Sequence, residues 1–135
     1  MPLITWGPAL QVGHKDIDEQ HQKLIDLVNR LNDAMRAGHS KEILNDVLTQ
    51  LVNYTVYHFN TEERLMAQYH YTASATHKTE HQKFIDDVSR FKKNFDLGQS
   101  TVSTEIMNFL RDWLARHIMQ TDKKLAMELK KTATG

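Results

Sequence analysis

Five histidines stand at the ends of apolar stripes that have helical spacing, and imidazole is a side chain that binds metal ions. His21 precedes Leu24 on the first stripe, and His58 follows Leu51 on the second. An unpaired buried polar group costs about 1–3 kcal/mol, and five imidazoles directed into one interior cannot satisfy one another cheaply. A metal site is therefore favoured, and its candidate imidazoles are His21, His58, His77, His81 and His117.

Two carboxylates extend this set. Glu62 lies four residues after His58, and His77 and His81 are also four residues apart, so each pair shares one side of its helix. Asp122 takes the place of Glu62 in the second half of an internal repeat. Imidazole suits zinc, copper, nickel and iron, whereas bridging carboxylates suit a pair of hard ions.

The number of donors predicts an incomplete site for two ions. Five imidazole nitrogens and two bridging carboxylates supply nine of the twelve bonds that two octahedral ions need. A single oxo or hydroxo bridge supplies two more, which leaves one position open toward an apolar interior. We expect a small ligand from solution to bind at that position.

The composition narrows the class of protein around this site. The chain has 135 residues, seventeen basic and seventeen acidic side chains and no cysteine. The zero net charge argues against nucleic acid or a membrane surface as a partner, and the lack of cysteine excludes disulfides and thiolate metal sites. No apolar run approaches the roughly 18 residues of a membrane span, and the first residues lack a basic leader, so a cytoplasmic protein without membrane insertion is expected.

The apolar spacing predicts an all-α fold. Gly38 and Gly98 suit the left-handed residue that ends a helix, and Ser40 and Ser100 suit the cap of the next helix. Helices are predicted at about 17–37, 41–68, 74–97 and 102–130, after an N-terminal extended arm over 1–16. Short joins favour antiparallel neighbours, so residues 1–135 are predicted to form one domain, an antiparallel up-down-up-down four-helix bundle.

The chain also repeats itself. Residues 19–31 and 79–91 are identical at seven of thirteen positions, at an offset of sixty, and the same offset relates Glu62 to Asp122. His58 and His117 are instead related by an offset of fifty-nine, so one residue is inserted between His117 and Asp122. Residues five apart lie about 140° apart on a regular helix. We therefore predict a π-type bulge between His117 and Asp122.

Five motifs, in order along nearly the whole chain, carry a resemblance to a known family. They are W-x-x-x-x-x-V-G (Trp6 to Gly13), I-D-E-Q-H (Ile17 to His21), H-F-x-x-E-E (His58 to Glu63), H-x-x-x-H (His77 to His81) and W-L-x-x-H-I-x-x-x-D (Trp113 to Asp122). In these motifs the sequence resembles the hemerythrins, in particular the single-domain bacterial members.

The resemblance implies a non-haem centre of two iron ions, Fe2+ or Fe3+, joined by an oxo or hydroxo bridge, with dioxygen as a reversible ligand. It implies that one iron is held by His77, His81 and His117 and the other by His21 and His58. Glu62 and Asp122 would bridge the two ions, and the second iron would have the vacancy. By position, the candidates to line an oxygen pocket are Leu24, Phe59, Trp113, Leu114, Ile118 and Met119.

The donor types favour an oxygen carrier, buffer or store over an enzyme. Ferritin-like oxidases use carboxylate-rich sites with Glu-x-x-His on two helices, and this chain has no such repeat. Three alternatives stay open, namely a sensor of oxygen or nitric oxide that acts through a partner, a di-iron oxidase or peroxidase, and an iron store. Dioxygen is the expected partner, an unidentified oxygen-consuming protein is a candidate second one, and the chain is expected to be a monomer.

Overall fold

The computed structural model describes residues 3–99 and 101–134, with side chains as far as residue 131. Within these ranges there is no strand, and four long helical segments follow one another. They are α1 (Lys15–Arg36), α2 (Lys41–Gln68), α3 (Ser74–Asp96) and a last segment made of α4 (Thr104–Arg116), a π-helical segment (His117–Asp122) and α5 (Lys123–Thr134). The predicted π-type bulge is confirmed.

The helix ends follow the local chemistry of the chain. Gly38 and Gly98 adopt the left-handed backbone, with φ of 70° and 76°, as predicted for residues that end α1 and α3. The Ser40 hydroxyl caps α2 by accepting a hydrogen bond from the Ile43 amide. The next predicted cap, Ser100, lies outside the described residues, and the hydroxyl that caps α4 is that of Ser103.

The N-terminal arm packs against the bundle. The Ile4 backbone forms two hydrogen bonds with the Asn29 side chain, at 2.9 and 2.8 Å, so α1 fixes the arm. Asp18 accepts from the amides of Val12 and Gly13 at the end of the arm. The arm is shorter than predicted, because α1 already begins at Lys15, and it contains a short 3-10 turn at Pro8–Leu10.

The helices are antiparallel, as the positions of the candidate ligands show. His21 lies near the start of α1, His58 near the end of α2 and His77 near the start of α3, yet all three lie in one buried cluster with Asp122. Such a cluster requires successive helices to run in opposite directions. The predicted four-helix bundle is confirmed, and no helix among the described residues is long and apolar enough to cross a membrane.

Candidate metal centre

All seven residues predicted as metal ligands converge inside the bundle. None of them is more than 2% exposed, although they come from four helical segments. Their ligand atoms form two groups that share both carboxylates, the first from Glu62, His77, His81, His117 and Asp122, the second from His21, His58, Glu62 and Asp122.

The first group has the spacing of an octahedral coordination sphere. With metal–ligand bonds of about 2.1 Å, neighbouring donors of an octahedral ion lie about 3 Å apart. The Nε2 atoms of His77 and His117 lie 3.1 and 3.0 Å from Oδ1 of Asp122. The Nε2 atom of His81 lies 3.0 Å from Oε1 of Glu62 and 3.2 Å from Nε2 of His117. Five donors are therefore arranged to hold one cation.

The second group is smaller and uses the opposite oxygen of each carboxylate. Nε2 of His21 lies 2.8 Å from Oδ2 of Asp122, and Nε2 of His58 lies 3.5 Å from Oε2 of Glu62. Nε2 of His21 lies 3.8 Å from the same Glu62 oxygen. Each carboxylate thus directs one oxygen to each group, which is the arrangement that bridges two ions.

Unsatisfied polar atoms show that these residues fit metal ions. His21 Nε2, His58 Nε2, Glu62 Oε2 and both Asp122 oxygens are buried without a hydrogen-bond partner. Some of these atoms lie close to a polar neighbour, as His21 Nε2 does to Asp122 Oδ2 at 2.8 Å, but these contacts do not have the geometry of hydrogen bonds. Native interiors rarely leave such atoms unpaired, since each costs about 1–3 kcal/mol. Two cations would satisfy them together.

The π-helical segment brings the last two ligands onto one side. His117 and Asp122 open and close this segment, and both are buried. The wider turn of a π-helix compensates for the inserted residue, so His117 and Asp122 occupy the same interior despite their five-residue separation.

Comparison with known proteins agrees with this geometry. A family described as the hemerythrin HHE cation binding domain matches residues 12–129. This chain belongs to the hemerythrin family. It is 37% identical over 126 residues to a bacteriohemerythrin of Methylococcus capsulatus, which covers 91% of this chain and 94% of that protein. It is 35% identical to a hemerythrin-like protein of Naegleria gruberi, over 90% of this chain and 89% of that one. The crystal structure of a wild-type hemerythrin superposes with a TM-score of 0.90 at 34% identity, covering 94% and 98% of the two chains.

The carboxylates of this hemerythrin site control the charge of the metal-free imidazoles. Burial lowers the pKa of His21 and His77, but the close carboxylates of Asp122 and Glu62 outweigh it and raise each pKa to about 9. Burial prevails at His58 and lowers its pKa to about 4. The pKa values of Asp122 and Glu62 lie below their usual range, because hydrogen bonds and charges from the imidazoles overcome burial and mutual repulsion.

Three of the five Nδ1 atoms of the imidazoles reach partners that the sequence reasoning missed. Nδ1 of His81 lies 3.1 Å from Glu63, Nδ1 of His117 lies 3.2 Å from Glu80, and Nδ1 of His58 lies 2.6 Å from Gln20. Each partner is the sequence neighbour of a ligand, namely Glu62, His81 or His21. Neighbours on a helix lie about 100° apart, so a residue beside a ligand can face the ligand of the adjacent helix. That adjacency is the signal that would have found them.

A small apolar cavity of about 10 Å³ lies beside the cluster. Each of the four helical segments contributes a lining residue about one turn away from a candidate ligand. These residues, each three positions from a ligand in the sequence, are Leu24, Thr55, Phe84 and Leu114. The Phe59 ring lines it and stacks on His81 with centroids 3.7 Å apart. The full lining is Leu24, Val28, Leu51, Thr55, Phe59, Phe84, Leu110 and Leu114.

Three predicted pocket residues do not line this cavity. Met119 is 46% exposed, because extrapolation at regular helical spacing fails inside the π-helical segment. Ile118 is buried elsewhere in that segment. Trp113 is half-buried, and its ring stacks on those of Phe84 and His117 with centroids 3.9 and 4.5 Å apart. Its neighbour Leu114 lines the cavity, as predicted by position.

The histidines outside the cluster have other positions. His39 and His70 are exposed. His14 is half-buried and caps α1, because its Nδ1 accepts a hydrogen bond from the Ile17 amide at 3.3 Å.

Proposed function

We propose that this protein binds dioxygen reversibly at a centre of two iron ions and works as an oxygen carrier, buffer or store. The observation that carries the proposal is the convergence of nine donor atoms in two groups, five in one and four in the other, with both carboxylates shared. Membership of the hemerythrin family supports iron as the metal, and imidazole-rich donors suit it.

The inequality of the two groups supports binding of an external ligand at one ion. His77, His81 and His117 give the first group one more donor than His21 and His58 give the second. When bound, two ferrous ions supply the electrons that dioxygen takes up on binding and returns on release. The vacancy for dioxygen therefore belongs to the position held by His21 and His58.

The surrounding side chains favour release of oxygen over its consumption. The cavity beside the cluster is apolar except for Thr55, whose hydroxyl already donates to the Leu51 carbonyl at 2.7 Å. No lining residue therefore offers a proton to a ligand. Apolar surroundings also restrict water, which would otherwise promote irreversible oxidation.

Metal analysis combined with an absorption spectrum cycled between air and vacuum tests this function. We expect two irons per chain and a visible charge-transfer band that appears with oxygen, disappears under vacuum and returns over repeated cycles. His39→Ala, which removes an exposed histidine, should leave both results unchanged, whereas His58→Ala should abolish the band. A single zinc ion per chain, or a band that does not reverse, would refute the proposal.

Oxygen consumption with a reductant separates the carrier from an oxidase or peroxidase. A carrier takes up one dioxygen per iron pair and stops, even when a mild reductant such as ascorbate is in excess. Sustained consumption of many equivalents would instead make the protein an enzyme. Iron far above two per chain would identify a store of iron.

A further inference from the structure

A hydrogen-bonded triplet supports His58 from outside the cluster. Nδ1 of His58 donates to the Gln20 amide oxygen at 2.6 Å, and the Gln20 amide nitrogen donates to the Thr61 hydroxyl at 3.4 Å. Because an amide oxygen only accepts, the proton of His58 is on Nδ1 and Nε2 is left bare for a metal ion.

The second half of the repeat contains the corresponding triplet. Nδ1 of His117 donates to Glu80 at 3.2 Å, and the Thr121 hydroxyl donates to both Glu80 oxygens at 2.9 and 3.2 Å. Glu80 and Thr121 lie sixty residues after Gln20 and Thr61, and His117 is the repeat counterpart of His58. The two triplets link the same three positions, but a carboxylate replaces the amide, so the second triplet carries a negative charge and its threonine hydroxyl donates where that of the first accepts.

A second pair of repeat positions differs in the same sense. Nδ1 of His81 donates to Glu63 at 3.1 Å. At the offset of sixty, the counterpart of Glu63 is Lys123, which is exposed. The counterpart of His81 is His21, whose Nδ1 has no hydrogen-bond partner. Both differences place negative charge behind imidazoles of the five-donor group and none behind those of the four-donor group.

We propose that Glu80 and Glu63 are positioning residues that strengthen cation binding at the position of His77, His81 and His117 relative to the position of His21 and His58. A carboxylate hydrogen-bonded to the distal nitrogen makes an imidazole a stronger ligand and places a negative charge near the cation. The inference rests on the proposed pair of metal ions. It makes the four-donor position, where dioxygen would bind, the one that loses its cation first.

Titration of the metal-free protein with Co2+ under anaerobic conditions, with a competing chelator, tests this inference. We expect two binding steps in the wild type, and His58→Ala should leave the tighter one. Glu80→Gln and Glu63→Gln should each weaken the tighter step about 10-fold or more, the usual effect of losing such a partner. Gln20→Glu should strengthen the weaker step. The double variant Gln20→Glu with Glu80→Gln should therefore reduce the difference between the Co2+ affinities of the two steps.

Matched variants separate charge from structure. Glu80→Gln keeps an acceptor for Nδ1 of His117, so the histidine tautomer in the metal-free protein, read by 15N NMR, should not change. Glu42→Gln removes an exposed carboxylate about 30 Å along α2 from Glu62 and should leave both steps unchanged. A cooperative thermal unfolding transition of each metal-free variant shows that the variant is folded.

The outcomes distinguish this inference from the function on which it rests. If the wild type binds two cobalt ions but Glu80→Gln and Gln20→Glu leave the ratio of the two affinities unchanged, the inference is wrong and the proposed function stands. If Glu80→Gln retains wild-type affinity while Glu80→Ala loses it, orientation rather than charge is responsible, and the inference is also wrong. Fewer than two ions bound by the wild type would overturn both.

Discussion

Nε2 of His117 lies 3.0 Å from Oδ1 of Asp122, although the two residues are five positions apart in one helical segment. In the first half of the repeat, His58 and Glu62 are four apart and their closest ligand atoms are 3.5 Å apart. The π-helical segment absorbs the additional residue, so the second half still presents an imidazole and a carboxylate to the same interior. The shorter Asp122 side chain therefore reaches both groups of donors.

Asp122→Asn should abolish paired metal binding. The substitution keeps the shape but removes the charge, and it gives one of the two bridging positions an NH2 group that cannot bind a cation. Because Oδ1 faces the first group and Oδ2 the second, we expect both ions to be weakened and the metal content to fall below two per chain. Metal analysis after gel filtration measures this. Asp26→Asn, at an exposed position of α1, is the control that should retain two ions.

The metal-free protein should lose stability as the pH rises through about 9. The folded pKa of His21 and His77 is about 9, above the unfolded value of 6.5, so the stability from their charged pairing is fully present below pH 6.5 and is lost through pH 9. Melting temperatures at pH 6.5, 8 and 9.5 check this. The metal-loaded protein is the control, because its coordinated imidazoles carry no proton to lose. A melting temperature of the metal-free protein that is constant over this range would contradict the pairing.

The same pKa values predict that metal binding releases protons. At pH 7 the imidazoles of His21 and His77 carry protons that a metal ion must displace, so Co2+ affinity should rise between pH 7 and 9 and level off above that. Calorimetric titration in two buffers of different ionisation enthalpy measures the protons released. Equal binding heats in both buffers at pH 7 would show that these imidazoles are already neutral.

The sequence predicted those parts of the site that depend on regular helices. The apolar stripes that end at His21 and His58 predicted that both side chains face the bundle interior, because a 3.6-residue period can be extrapolated along one helix. The change of offset between His117 and Asp122 revealed the π-helical segment. Met119 was misplaced because that extrapolation ends inside the irregular segment. The partners Gln20, Glu63 and Glu80 depend on how neighbouring helices are aligned, which no single helix encodes.

Leu24→Ala should open the apolar cavity without emptying the metal site. Leu24 is 1% exposed and lines the cavity, so truncation should cost about 2–5 kcal/mol of unfolding free energy. It leaves all seven candidate ligands in place, and two ions per chain should remain. Water that enters the enlarged cavity should make the oxygen-dependent band decay faster over successive cycles. Met119→Ala, at a 46% exposed position, should change neither stability nor decay, and equal effects of the two substitutions would contradict the assignment of the cavity.

His70→Gly should stabilise the protein, because His70 occupies a position that suits glycine. Its φ is 53°, and it follows α2 as Gly38 follows α1 and Gly98 follows α3. The amide of His70 donates to the Ala67 carbonyl at 3.4 Å, matching the bond from Gly38 to Met35 at 3.1 Å, so these helix ends are built alike.

The left-handed conformation costs an L-residue about 1–2 kcal/mol, and glycine removes that strain. The greater freedom of glycine in the unfolded chain destabilises the folded state by about 0.5–1 kcal/mol and so cancels part of this gain. The net expectation is a stabilisation of up to about 1.5 kcal/mol, measured by the urea midpoint. His39→Gly makes the same change at an exposed position with negative φ, so it should destabilise the protein instead. Equal losses from both substitutions would mean that the His70 side chain contributes more to the loop before α3 than its backbone strain costs.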